Sequence, residues 1–320
     1  MSFPLIDVSK IDSPDDQLAI AKKVTEACQQ WGFLLIKGHQ IPPSEIEEMF
    51  SLGKAFFSLP EEQKSQYPIN EDEIGYMGSF KDRGKDDKMS MWFGGLPGAI
   101  KNTPGLHPFW YEQAEKVEAF KHKCHSLVVK MLVCFALAME LPDKDFFANA
   151  HLENAGKGNS LRMLMYPARG EQPQTGGSRM AQHTDSGSVT LLFQKQAGLE
   201  VLSPNGDWIK APCIEDCILV NLGDALSFWS GTHLKATLHR VTFDGLPHDQ
   251  ERQTMAYFGS AHPDTVLQPI MAGKTMGKYH SNGFDIEPGI TVGQLNAMIM
   301  KSIYKAPEPA PVPLPAQIFV

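Results

Sequence analysis

The five cysteines, Cys28, Cys124, Cys134, Cys213 and Cys217, form no CxxC pair and no even framework. That argues against a disulfide scaffold or a cysteine zinc site and leaves reduced thiols in a reducing compartment. Long apolar runs are also missing: the longest, Leu127 to Leu141, is broken by Lys130 and falls short of the roughly 20 residues that a membrane-spanning helix needs. The opening MSFPLIDVSK contains no apolar signal core. No Lys/Arg cluster is long enough to follow a phosphate backbone, and 29 basic residues stand against 37 acidic ones, a net charge of −8. Nucleic acid is therefore not an expected partner. No internal repeat is present. The expectation is a cytoplasmic, soluble chain with no membrane partner; oligomeric state is not legible.

At 320 residues and 42% hydrophobic, the chain can bury one large core. A short strand, PLIDV, precedes a helix with Ser13 as N-cap and Pro14 at its first position, closing at Gly32. The strand FLLIK follows, and Ser44 with Glu47 predicts a capping box for a second helix. Residues 66–105 show no clear period and read as irregular. A long helix is predicted from Trp110 to Met139. From Leu161 onward the chain changes to short β runs: LRMLMY, SVTLLFQ, GLEVL, DWIKA, CILVNL, ALSFW, LKATLHRVTF and QTMAYFG. PNGD at 204–207 predicts a hairpin and GD at 223–224 a second tight turn. Short strands without intervening helices predict a sandwich, jelly roll or barrel. The expected organisation is a helical and strand-bearing region over 1–105, carrying a variable substrate loop. A long helix and β core over 106–270 are integrated with it, and a C-terminal helix with a Pro-rich tail occupies 271–320.

The head of one β run, AQHTDSGSVT, places His183 and Asp185 two apart. On a strand such residues share a face about 7 Å apart, close enough to bind one ion. Spacing alone is weak evidence, since with 11 histidines roughly one HxD arises by chance. His262-Pro263-Asp264 and His151-Leu152-Glu153 read instead as turn and loop. His122 and His125 read as helix packing, and His233 as a solvent-side residue. His183 and Asp185 differ because LKATLHRVTF puts His239 on an inward face with Lys235, Thr237 and Val241. Two imidazoles and one carboxylate with open positions suit non-haem Fe(II) and oxygen chemistry, whereas structural zinc wants four closed ligands.

Further on, ERQTMAYFGSA puts Arg252, Thr254, Ala256 and Phe258 on one face. A guanidinium in a strand interior is costly unless it meets an anion. A dicarboxylate such as 2-oxoglutarate answers that cost: the charges of iron(II) and Arg252 balance Asp185 and the doubly charged keto acid, with both histidines neutral. Arg252 offers a bidentate fork and Thr254 a second donor.

With these residues in order, the sequence resembles the Fe(II)/2-oxoglutarate-dependent dioxygenases of the isopenicillin N synthase-like branch. His183-Thr184-Asp185, Leu238-His239-Arg240-Val241 and Arg252-Gln253-Thr254 are similar to that family's HxD, distal histidine and RxS motifs. PLIDVS, EACQQWGFLLIKGHQIP and AFFSLPEEQK are similar to its leading region. The likeness runs from Phe3 to Pro263. It implies a mainly β chain with added helices, built on a double-stranded β-helix (a cupin-like jelly roll) with an N-terminal helical region and a long supporting helix. It further implies Fe(II) on His183, Asp185 and His239, and 2-oxoglutarate on Arg252 and Thr254 with Tyr166 assisting. O2 is the oxidant, ascorbate a supporting reductant, and succinate and CO2 are the co-products. Thr254 stands where serine is usual, and Leu164 where asparagine is common. Asp185 fills the position that halogenases leave small, which favours hydroxylation or desaturation.

Substrate contacts are expected from the 74–96 stretch, IGYMGSFKDRGKDDKMSMWFGGL, where Met89, Met91, Trp92 and Phe93, with Phe258, are expected to form an apolar wall. That points to a small apolar or aromatic metabolite. Two alternatives stay open: a same-fold Fe(II) oxidase that does not use 2-oxoglutarate, and a noncatalytic jelly-roll binding module.

Overall fold

The computed structural model describes residues 2–70, 72–78, 88–95, 99–153, 159–168, 178–242, 249–270 and 279–304. Its first half runs β1 (Leu5–Asp7), α1 (Pro14–Gln30), β2 (Phe33–Lys37), α2 (Pro43–Phe57), α3 (Glu61–Lys64), β3 (Ile74–Met77), β4 (Met89–Phe93), α4 (Ala99–Asn102), α5 (Pro108–Glu112) and α6 (Ala114–Ala138). The second half runs β5 (Ser160–Tyr166), β6 (Ser178–His183), β7 (Val189–Gln194), β8 (Leu199–Leu202), β9 (Trp208–Lys210), β10 (Cys217–Leu222), α7 (Asp224–Trp229), β11 (His239–Thr242), β12 (Arg252–Gly259), β13 (Tyr279–Ser281), β14 (Phe284–Ile286) and α8 (Val292–Tyr304). The Pro-rich tail and residues 79–87 and 96 of the expected substrate loop lie outside the described residues.

Local signals explain most of these boundaries. Pro14 takes the N1 position of α1 after Ser13 in extended geometry, where its fixed φ suits a helix start and its missing N–H costs nothing. Gly32, at φ 66°, turns the chain out of the helix. In α2 the expected capping box does not form. The helix begins on Pro43 with Pro42 as N-cap, which puts Ser44 inside the first turn, and Glu47 instead accepts from Lys195 Nζ at 2.6 Å. The predicted long helix is divided at Gln113 into α5 and α6.

Two predicted elements change type. The stretch 66–105, expected to be irregular, contains β3 and β4. ALSFW, expected to be a strand, lies in α7, whose residues are all buried and so carry no period that could tell helix from strand. GD at 223–224, expected as a second tight turn, instead starts α7, with Gly223 as its N-cap. PNGD does turn a hairpin, β8 to β9, with Gly206 at φ 86°.

The strands form an eight-stranded sheet in the order β1-β2-β10-β7-β12-β5-β4-β3 and a four-stranded sheet in the order β6-β11-β8-β9, with β13 and β14 as a separate hairpin. Phe33, Leu35, Tyr166 and Leu219 of the large sheet pack with Leu199, Val201 and Val241 of the small one, so the inner faces of both sheets meet. This is the jelly roll. The outer face of the large sheet packs on helices: Met163, Phe193, Met255 and Tyr257 share a core with Phe120, Val128 and Phe135 of α6. No helix among the described residues is long and apolar enough to cross a membrane.

Alternation along β4 decides which of its residues can reach the interior. Ser90 and Trp92 pair with Leu164 and Arg162, while Met89, Met91 and Phe93 pair with Met165, Met163 and Leu161, which join the helix-side core. Met91 and Phe93 are buried in that core and Met89 packs against it, so the expected wall of Met89, Met91 and Phe93 is corrected: of that stretch, Trp92 is turned inward. Phe93 is fully buried, edge-on to Trp110 at 4.7 Å between ring centroids. Phe93→Ala is expected to cost about 3–5 kcal/mol of stability, read as the urea unfolding free energy; a loss below about 1 kcal/mol would contradict the packed position.

Candidate active site

Strand β6 ends at His183, and antiparallel pairing sets His183 directly opposite His239 on β11. The two imidazoles are 4.3 Å apart between ring centroids. Asp185 is not on the strand, as the HxD reading supposed, but two residues past its end. From there Asp185 Oδ1 lies 3.8 Å from His183 Nε2 and 3.7 Å from His239 Nε2. One ligand atom of each residue falls within 4.8 Å of the others.

Hydrogen bonds on the far side of each group fix what it presents. His183 Nδ1 meets Ala181 O at 2.8 Å and His239 Nδ1 meets Thr237 O at 3.1 Å. A carbonyl only accepts, so Nδ1 carries the proton in both rings and Nε2 presents a lone pair. Asp185 Oδ2 accepts from Thr190 Oγ1 at 2.6 Å and Asn221 Nδ2 at 2.7 Å, which leaves Oδ1 facing the imidazoles. Burial pushes the His183 pKa down to about 4, with His239 adding to the effect, so the ring is neutral. Burial raises the Asp185 carboxyl, but the imidazoles, Thr190 and Asn221 outweigh it, and its pKa lies below the usual carboxylate range. Two imidazole nitrogens and one carboxylate oxygen thus converge on one point. Two nitrogens and one oxygen on one side, each tied by a hydrogen bond from behind, fit an Fe(II) ion with open positions.

Arg252 begins β12 and is 3% exposed. Its Nε donates to Ala197 O at 3.0 Å, Nη2 reaches Gln194 Oε1 at 3.5 Å, and the guanidinium lies 5.0 Å from the Tyr166 ring. These acceptors are neutral, and among the described residues no carboxylate pairs with it. Burial depresses its pKa. Tyr166 is its cross-strand partner, and Thr254, also buried, pairs with Leu164.

At the other end of the same inward face stands Phe258, paired with Thr190, the donor to Asp185. Its ring lies 4.4 Å from the Arg162 guanidinium, which on its other contact lies 3.5 Å from Trp92. The outward parity of Tyr257, whose hydroxyl approaches His125 Nδ1 on α6 at 3.4 Å, agrees with Phe258 pointing inward. Sequence reasoning missed Arg162, although its parity with Leu164 and Tyr166 was legible. It also missed Thr190 and Asn221, whose role shows only once β7 and β10 are paired.

The other histidines stand apart from this cluster. His262 meets Asp264 across an exposed turn, at 3.7 Å, and His122 pairs with Glu153. His233 is exposed and His125 is buried. His151, read as part of a loop, is buried: Nδ1 bonds Phe147 O and Nε2 bonds Ser188 Oγ, each at 2.7 Å.

A family model described as "2OG-Fe(II) oxygenase superfamily" matches residues 158–261, and one described as "non-haem dioxygenase in morphine synthesis N-terminal" matches residues 3–108. Proline hydroxylase buaE of Petromyces alliaceus is 32% identical over 82% of this chain and 87% of its own. The chain belongs to the 2OG-Fe(II) oxygenase superfamily. UPF0676 protein C1494.01 of Schizosaccharomyces pombe is 35% identical to this oxygenase over 92% of the chain and 90% of its own. A full-length Neurospora crassa protein crystallised in complex with alpha-KG superposes at a TM-score of 0.79, with 29% identity, covering 94% of this oxygenase and 96% of that chain. The same protein with alpha-KG and thymine gives 0.77 and 29%, covering 92% and 97%. The oxygenase is therefore an enzyme, a 2-oxoglutarate-dependent dioxygenase that uses Fe(II), and not a binding module.

Burial holds the pKa of His151 near 4, below its ordinary 6.5. Below pH 6.5 the unfolded chain takes up this proton first, so the stability present above 6.5 is lost as pH falls towards 4. Over that window the oxygenase is expected to lose up to about 3 kcal/mol through this residue. His151→Gln should flatten the fall in denaturant titrations at stepped pH; an unchanged slope would show that another group carries it.

Proposed function

We propose that this oxygenase hydroxylates, or desaturates, a small planar metabolite with aromatic character and a carbonyl or carboxylate acceptor. The observation that carries the reading is the inward face of β12. It begins at Arg252, buried among neutral acceptors, and ends at Phe258, stacked against Arg162 next to the residue that bonds Asp185. The first end suits an anionic co-substrate and the second a flat ring.

His183 Nε2, His239 Nε2 and Asp185 Oδ1 hold the iron, and Thr190 and Asn221 keep the carboxylate turned so that one oxygen serves the ion. Arg252 and Thr254 grip the far carboxylate of 2-oxoglutarate, with Tyr166 beside them; a charge-assisted fork of this kind fixes orientation as well as affinity. Fe(II) held there would supply O2 activation, with 2-oxoglutarate as the two-electron donor and succinate and CO2 as co-products. Phe258 supports the face of the substrate ring. Arg162, whose guanidinium lies 3.5 Å from the Trp92 ring, 4.4 Å from the Phe258 ring and 3.7 Å from Glu73, donates to the acceptor and sets which edge of the ring faces the metal. The thymine bound by the Neurospora crassa relative is a planar ring with carbonyl groups, which supports this class.

Two measurements test the reading. In anaerobic calorimetry, Arg252→Leu is expected to hold Fe(II) as the wild type does but to bind 2-oxoglutarate at least about 100-fold more weakly, since a paired buried charge is worth about 3–5 kcal/mol. His183→Ala and Asp185→Ala should not hold Fe(II) at all, and full iron binding in either would overturn the ligand assignment. For the substrate, succinate release is measured with planar carbonyl-bearing rings, thymine among them, against aliphatic amino acids, proline among them. Rings should stimulate turnover, and Arg162→Met and Phe258→Ala should each raise KM by about ten-fold, the loss of one stacked or charge-assisted contact. Stimulation by the aliphatic compounds alone would sink the proposal.

A further inference from the structure

The turn that carries Asp185 is held from three directions. From below, backbone N–H groups at the head of α7 donate into it: Gly223 to Ser188 O at 3.0 Å, Asp224 to Asp185 O at 2.8 Å and Ala225 to Ser186 O at 3.2 Å. Only glycine fits at 223, because a Cβ there would lie 2.2 Å from Gly187 O and 2.8 Å from Asp185 O. From the side, the Asp224 carboxylate accepts from Thr184 Oγ1 at 2.8 Å. From above comes the β13–β14 hairpin, nearly a hundred residues away in sequence.

That hairpin turns on Asn282 and Gly283, both at positive φ (49° and 83°), with Ser281 paired to Phe284, which is the two-residue turn that Asn-Gly favours. The Asn282 side chain brackets Thr184. Its Nδ2 donates to Thr184 O at 3.1 Å and Thr184 Oγ1 at 2.8 Å, and its Oδ1 accepts from Thr184 N at 3.3 Å. Nδ2 also reaches Asp224 Oδ2 at 3.0 Å, while Ser281 Oγ and Tyr279 Oη donate to the same carboxylate at 2.7 and 3.1 Å. Asp224 is 1% exposed and all of these donors are neutral. Burying a carboxylate without a cation costs several kcal/mol unless hydrogen bonds satisfy it. Apolar packing would anchor a hairpin at less cost. What this carboxylate achieves, and apolar packing would not, is to fix the residue between His183 and Asp185 in both backbone and side chain.

We infer that Asp224 and Asn282 are positioning residues for the metal: docking the β13–β14 hairpin on Thr184 sets the angle between His183 and Asp185 and so the affinity for the ion. The inference rests on His183, Asp185 and His239 being the metal ligands. The test is an anaerobic titration of the metal-free full chain with Co(II), followed by its visible ligand-field bands, for the wild type, Asn282→Ala, Thr184→Val and His183→Ala, with the melting temperature of each metal-free protein recorded. Asn282→Ala and Thr184→Val are expected to bind Co(II) about ten-fold more weakly, as happens when the groups that orient metal ligands are lost. Their bands should be shifted and their 2-oxoglutarate affinity unchanged once metal is saturating. Co(II) affinity within about threefold of wild type, whatever the melting temperature, would overturn the inference and leave the hairpin as a structural anchor, and any larger loss supports it. If Asn282→Ala does not fold, Thr184→Val, which keeps the side chain's shape, decides alone. If wild type does not bind Co(II), or His183→Ala binds it equally, the ligand assignment itself has failed.

Discussion

Two imidazoles and one carboxylate can serve a single point only if each is held in one orientation, and that constraint is met by groups elsewhere in the fold. Each group is therefore tied from behind. Ala181 O and Thr237 O take the Nδ1 protons, and Thr190 and Asn221 take the second carboxylate oxygen. These ties come from four different strands or strand ends, so the site exists only when the two sheets face each other. The mixed core of Phe33, Leu35, Tyr166, Leu199, Val201 and Val241 that holds the sheets together is thus also what keeps the ligand cluster in register.

The same constraint governs the co-substrate end. A guanidinium as deeply buried as Arg252 loses its hydration, and neutral acceptors such as Ala197 O and Gln194 Oε1 return only part of it. In the reading proposed above, a dicarboxylate would complete the balance at this end of the strand. Arg162 is stabilised differently, by cation–π contact with Trp92 and Phe258 and by Glu73 at 3.7 Å.

Strand parity carried much of this from the sequence alone, because alternation is a local property. Arg252, Thr254, Ala256 and Phe258 share the face that the two-residue period predicts. Parity was lost at Met89–Phe93, since MSMWF carries large apolar side chains on both faces, with Ser90 beside Trp92, and only its pairing with β5 tells which face turns inward. DALSFW failed for the same reason: a segment buried all round shows no period. His183 and Asp185 do converge, but for a reason other than the one their spacing suggested, since the strand stops between them. What could not be read is the partner that acts across the fold. Asn282-Gly283 is a hairpin signal as clear as PNGD, yet nothing local says that its side chain belongs to Thr184.

The order of strands in the large sheet has one more consequence. β1 and β2 close it on the side of β10, and β4 and β3 close it on the side of β5, so the first hundred residues supply both borders of a sheet whose middle comes from the second half. The two family matches meet along these seams, β2 against β10 and β4 against β5. A graft of the leading third must therefore fit two seams at once, or it leaves open hydrogen-bonding edges on which another chain can add.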